Sequence, residues 1–224
     1  MTSKAPPDTR KRLIAAASTL FAERGFHGTK VRDIAARAGV NLAAGNYHYG
    51  SKKALYLEVL RAQFAETRAM LKRRGAVTSA RKLDQLSHGA VVALLRTRAH
   101  VMLDLLLGPP AGVQGTLMLR EMTDPSEALP VIVEEFIRPM KQEIEEIVAH
   151  LAPGLSARQV ERCAFSVVGQ ALFYRFTMPA TLKMWGQREY PGGLARLLAE
   201  HITEFSLGGL ERLAGRKARS RHGR

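Results

Sequence analysis

The chain has 224 residues, 46% of them apolar and 24% charged, a balance that suits one or two globular domains with a sizeable core. No run approaches the roughly 20 apolar residues of a membrane helix. The polar stretch Met1 to Lys11 has no signal-peptide pattern, and the single Cys163 excludes a disulfide framework or a cysteine zinc site within one chain. A reducing cytoplasm with no membrane association is the expected setting.

The net charge of +14 is unevenly spread: ten Lys/Arg against three Asp/Glu up to Tyr56, but eight acidic against two basic residues from Glu121 to Glu146. Ala214 to Arg224 carries five Lys/Arg and no acid. A basic end on an acidic middle predicts a polyanion partner for part of the molecule, or else a plain solvated surface.

Helical spacing dominates the chain. Leu13, Ile14, Ala17, Leu20 and Phe21 form the first stripe, with Asp8 as its expected N-cap, Gly25 as its end and Phe26 closing the last turn. Val31, Ile34, Ala35 and Ala38 make a short second helix that stops at Gly39, and a third runs from about Leu42 to Tyr49. Ser51 caps a fourth, with Ala54, Leu55, Val59, Leu60 and Phe64 on one side. Further on, Leu83 to Leu107 reads as a long helix, Gly108 to Gly115 as a loop, and Thr116 to Met122 as a short helix. Asp124-Pro125-Ser126 opens the next, in which Pro139 should produce a kink or break. Ser156 caps a helix to about Phe176, and Pro191-Gly192-Gly193 starts the last one. There is no alternating strand pattern and no repeat, so the predicted class is all-α. The expected domains are residues 1–72 (core 9–57), 73–213, and a basic disordered tail, 214–224.

Thr29 to Lys53 is the informative stretch. A helix, a glycine turn at Gly39 with Ala35 four residues before it, the apolar anchor Val40 and a second short helix follow helix-turn-helix logic. Alone, Ala-x-x-x-Gly-Val would equally fit an ordinary helical corner. The longer run settles the resemblance: Leu20-Phe21-Ala22-Glu23-Arg24-Gly25-Phe26, Gly28 to Ala35, Ala38-Gly39-Val40, Tyr47-His48 and Gly50-Ser51-Lys52 resemble the TetR family of transcription regulators. Beyond that module, Asn41 to Ala44 leading to Asn46-Tyr47-His48, Leu119-Arg120-Glu121 with Pro125-Ser126, Pro139, and Val168 to Arg175 are similar to the subgroup related to cefoperazone and chloramphenicol sensitivity.

The resemblance implies an N-terminal helix-turn-helix module joined to a larger helical ligand-binding and dimerisation module. It places Thr29, Lys30, Arg32, Asn41, Leu42, Ala43, Ala44, Asn46, Tyr47, His48 and Lys52 at DNA. Arg32 can reach a base edge or a phosphate, and the resemblance favours a base. Leu42, Ala43 and Ala44 could only meet thymine methyls or permit close approach. Asn46, Tyr47 and His48 suit backbone oxygens, and Lys52 suits a phosphate. Thr29 fits a phosphate or a helix cap equally well.

Catalytic chemistry finds no support. Glu134-Glu135 and Glu145-Glu146 are adjacent on a helix and point apart, His100 and Asp104 make at best half a metal site, and Cys163 and Ser166 have no base nearby in sequence. No cofactor or metal is implied. Met102, Leu106, Met118, Phe136, Met140, Phe165, Phe173 and Phe176 could line a pocket for a small, largely apolar or aromatic effector, or could be plain core. Arg120, Glu121 and Arg175 could orient that ligand or form buried salt bridges. The wide apolar faces of the last two long helices would build a homodimer by family resemblance, or complete a monomeric core. The expected function is a sequence-specific regulator on a pseudo-palindromic double-stranded operator, read as a ligand-released repressor. An activator and a non-specific architectural protein are the rivals.

Overall fold

The computed structural model describes residues 7–41, 50–76, 83–108 and 113–221, and among them every regular element is helical. They are α1 (Pro7–Gly28), α2 (Val31–Ala38), α3 (Lys52–Arg73), α4 (His88–Leu107), α5 (Val113–Thr123), α6 (Leu129–Ile132), a π-helical turn (Val133–Ile137), α7 (Arg138–Leu151), α8 (Ala157–Phe176), α9 (Met178–Trp185) and α10 (Leu194–Arg221). No helix among the described residues is long and apolar enough to cross a membrane. The expected third helix, residues 42–49, lies outside the described residues, and with it Leu42, Ala43, Ala44, Asn46, Tyr47 and His48.

Several starts and stops follow local chemistry. Gly25, at φ 72°, breaks α1 where expected, because that left-handed geometry is open to glycine. Ser51 Oγ accepts the Ala54 N–H at 3.0 Å and starts α3. At α8 the Ser156 N–H and hydroxyl both donate to Gln159 Oε1, at 2.9 and 2.8 Å.

Other boundaries differ from the sequence expectation. α1 already begins at Pro7, so Asp8 sits in its first turn rather than before it. α5 starts at Val113, inside the expected loop. Ser126 does not open a helix directly, because its N–H and hydroxyl are held by Glu121, and α6 begins only at Leu129. The helical run continues through Pro139 without a break. Pro139 lacks an N–H and its ring crowds the carbonyl four residues back, and the wide π turn just before it absorbs both problems. The octapeptide α9, with Pro179 in its first turn and Gly186 at its end, was not foreseen. α10 continues to Arg221, so the tail expected to be unstructured from Ala214 is helical over most of its length.

The chain divides into two compact units, and residues 110–136 group with 1–67, whereas the sequence reading drew its boundary after residue 72. The first unit is built on Leu13, Ala17, Leu20 and Phe21 of α1, Ile34 and Ala35 of α2, and Leu55, Tyr56, Val59 and Leu60 of α3, all buried. Leu117 of α5 and Ile132 of α6 are buried as well. Arg61 of α3 grips Glu135 with two bonds, at 2.9 and 2.7 Å, and Phe64 stacks on Phe136 with ring centres 4.2 Å apart.

The second unit contains residues 68–109 and 137–224. Its core joins Leu94, Leu95 and Leu103 of α4, Ile147 and Val148 of α7, Val167 and Ala171 of α8, and Leu198 and Ile202 of α10. Each such Leu, Ile or Val side chain contributes roughly 1.5–3 kcal/mol over an exposed one. Buried Arg98 crosses this core to Glu143 of α7 at 2.5 Å.

Candidate nucleic-acid interface

The first unit carries the helix-turn-helix. Rings of Phe21, Phe26 and Tyr56 meet at centre distances of 4.9–6.1 Å and lock α1 to the start of α3. α2 ends at Gly39, whose left-handed backbone (φ 62°) turns the chain toward Val40 and Asn41. The Gly39 and Val40 N–H groups return to Ala36 and Ala35 carbonyls at 3.1 and 3.0 Å, closing that turn.

Three cations bond backbone carbonyls of this framework. Arg12 Nη2 donates to the Ala38 and Gly39 carbonyls at 2.5 and 2.8 Å, at the C-terminal end of α2. Lys52 Nζ donates to the Thr29 carbonyl at 3.0 Å and lies 4.4 Å from the centre of the Phe26 ring. Burial holds the Lys52 pKa below the ordinary lysine value, partly offset by Glu127. Arg120, from α5, donates to the Ala22 and Glu23 carbonyls at 2.9 Å each, in the last turn of α1 before the Gly25 break.

The sequence-predicted DNA residues separate on this geometry. Thr29 is 1% exposed, and its hydroxyl is bonded within the unit to the Gly25 and Leu20 carbonyls at 2.7 and 3.1 Å. The hydroxyl ties Thr29 back to α1 rather than capping α2, whose N-cap residue is Lys30 with no side-chain cap bond. Lys52 bonds the Thr29 carbonyl with one of the three donors of its ammonium, which leaves donors for a phosphate. Lys30 and Asn41 are exposed, and the Arg32 side chain is 70% exposed. Arg32 has only a 3.5 Å contact to Asp33, a carboxylate that Arg24 holds more closely at 3.0 Å.

Residues 13–59 match the family described as bacterial regulatory proteins, tetR family, and residues 91–210 match the C-terminal domain of the HTH-type transcriptional dual regulator CecR. The chain belongs to the TetR family of transcription regulators. CecR of Shigella flexneri is 27% identical over 199 residues, covering 87% of each chain. RutR of Escherichia coli K12 is 42% identical over 59 residues, 26% of this chain and 28% of its own. FadR of Bacillus subtilis, solved with stearoyl-CoA, shares the fold at a TM-score of 0.63 and 18% identity, over 89% of this chain and 98% of its own.

In this TetR-family chain the residues expected at an effector pocket are drawn from both units. Met118, Arg120, Glu121 and Phe136 belong to the first unit, the other seven to the second. Glu121 is 2% exposed and accepts from Tyr56 Oη (3.0 Å), the Ser126 N–H (2.9 Å) and the Ser126 hydroxyl (2.9 Å). Burial, and then the Glu121 carboxylate, push the Tyr56 phenol well above its ordinary value. Neither Arg120 nor Glu121 is a spare charge awaiting a ligand, because both tie α5 to the helix-turn-helix core.

In the second unit Met102 and Leu106 pack partly buried against the core. Met140, Phe165, Phe173 and Phe176 are exposed, with Phe173 at 58%, and fit neither an enclosed pocket nor the core of a single chain. Arg175 is half-buried, and Nη1 lies 3.7 Å from Met178 Sδ. Spacing could have revealed the outward set: 165, 169, 173 and 176 follow one side of α8, while the buried 160, 164, 167 and 171 follow the other. Of the possible catalytic or metal residues, Asp104 is taken by Arg74 at 2.7 Å and Glu145 by Lys141 at 2.7 Å.

Proposed function

We propose that this protein is a homodimeric, cytoplasmic repressor that reads a pseudo-palindromic operator and is released by a small, largely apolar or aromatic effector bound in its larger unit. The observation that carries the reading is the helix-turn-helix itself. α2 and the Gly39 turn are held rigidly from behind, while Lys30, Arg32 and Asn41 face solvent immediately before the segment that should enter the major groove.

Pairing with a second copy is supported by the apolar surface of α8 and α10. Phe165, Phe173 and Phe176 stand exposed on α8, Leu197 and Phe205 on α10, and the two helices are joined by a Gln170–Ser206 bond at 3.1 Å. Exposed apolar side chains on paired helices are what a helical dimer interface buries. An effector is supported by the CecR-type domain, and α3, which passes from Lys52 to Arg73 through the division between units, is the proposed route of the signal. Coupling of about 1–3 kcal/mol would change operator affinity 5- to 150-fold. Activation is the second reading, favoured by the dual-regulator name of the CecR relative.

The assay is titration of a reporter promoter in cells with and without the gene. A repressor raises expression when deleted, and an activator lowers it. At the DNA, Arg32→Ala should cost about 1–3 kcal/mol at one base pair of each half-site and relax the preference there. A uniform loss over all sequences would return Arg32 to the phosphates.

A further inference from the structure

A basic DNA-binding unit is ordinarily credited with all its cations as DNA ligands, but here the cations fall into two sets. Arg12, Lys52 and Arg120 each aim charged N–H groups at backbone carbonyls where a helix ends or turns: Ala38 and Gly39, Thr29, and Ala22 with Glu23. Ala38 and Gly39 close α2, and Ala22 and Glu23 lie just before the Gly25 break in α1, where a cation opposes the negative end of a helix dipole; Thr29 lies in the link between α1 and α2. Exposure does not separate the sets, because Arg12 is exposed like Lys11, Lys30 and Arg32, and Lys52 is half-buried like Lys53; the bonds to carbonyls do.

We infer that Arg12 and Arg120 are positioning residues for DNA reading rather than DNA ligands, and that Lys11, Lys30, Arg32 and Lys53 carry the charge that meets the operator. Arg12 fixes the turn from which the reading segment departs. The fit is close: a Cβ on Gly39 would come within 2.6 Å of Arg12 Nη2, so guanidinium and glycine occupy one another's space. Lys52 stands outside this assignment, because its bond to Thr29 leaves donors for a phosphate. Arg120 fixes the end of α1 and comes from far along the chain, 97–98 residues from its partners. The DNA-binding unit is therefore completed by a side chain outside the sequence motif that identifies it. The segment 110–136 that carries Arg120 is part of that unit, and a fragment stopping at residue 72 would lack this fastening.

Salt dependence separates the two sets, since only a cation that neutralises a phosphate releases a counterion, with a slope of about 0.9 per contact in log K against log salt. The test rests on the DNA-binding reading above. It uses the full-length protein, a duplex selected from random DNA by the wild type, and an unselected duplex of equal length. All titrations run at a temperature where melting curves place every variant above 99% folded. Lys30→Gln and Lys53→Gln should weaken both duplexes and flatten the slope by about one unit each. Arg12→Gln and Arg120→Gln should lower affinity for the selected duplex about tenfold at every salt concentration, the loss of a charged hydrogen bond, with the wild-type slope kept. Arg120→Lys, which keeps one charged donor, should recover part of that affinity. A slope in Arg120→Gln or Arg12→Gln that falls as it does in Lys30→Gln would overturn the assignment. So would an affinity equal to the wild type's, or a loss that tracks only the unfolded fraction. If the wild type itself showed no preference for the selected duplex, the proposed function would fail instead.

Discussion

Glu121→Ala should lower stability by about 3–5 kcal/mol, because it strands the Tyr56 hydroxyl and both Ser126 donors in a buried site. For a chain of this size the melting temperature should fall by on the order of 10 °C. Glu121→Gln retains an acceptor and should lose less. The same cluster gives an alkaline signature. Tyr56 has its phenol raised by burial and by Glu121, so the folded state binds a proton that the unfolded state releases first. That stability is complete below about pH 10, the unfolded value, and is lost as pH rises beyond it. Tyr56→Phe should flatten this decline in urea midpoints measured between pH 8 and 11. If Glu121→Ala melted with the wild type, the buried triad would not be what fastens α5 to α3.

Phe205→Glu should convert the proposed dimer to a folded monomer and reduce operator affinity at least about 100-fold, because one reading segment then binds without the avidity of its twin. Phe205 is 68% exposed on α10, so the substitution meets water in one chain and clashes with its own copy only across an interface. Sedimentation should report the halved mass, with helicity unchanged. A dimeric Phe205→Glu protein of wild-type affinity would place the interface elsewhere.

How far the sequence reached depended on the range of each interaction. Gly25, Gly39, Ser51 and Ser156 act within a few residues, so their breaks and caps were legible. Arg12, Lys52 and Arg120 were not, because a basic side chain reads the same whether it faces a phosphate or a carbonyl 23–98 residues away. Glu121 looked like a charge waiting for a ligand because its partner Tyr56 lies 65 residues upstream. At Pro139 the local rule foresaw trouble in the right place, but not that a widened turn would absorb it. Apolarity alone put Phe165 and Phe173 in a pocket, while their spacing against the buried side of α8 pointed outward. α9 escaped because eight residues with a proline near the start carry too little periodicity to stand out from a loop.

The central claim is that two copies of this chain read DNA as a symmetric pair. Its most direct test is selection of bound duplexes from a random library by the purified protein, followed by sequencing. The account predicts enrichment of an inverted repeat whose half-site centres lie about one helical turn apart or a multiple of it, roughly 10–10.5 base pairs in the simplest case. Recovery of sequences no different from the input, or of a single unrepeated site, would contradict it.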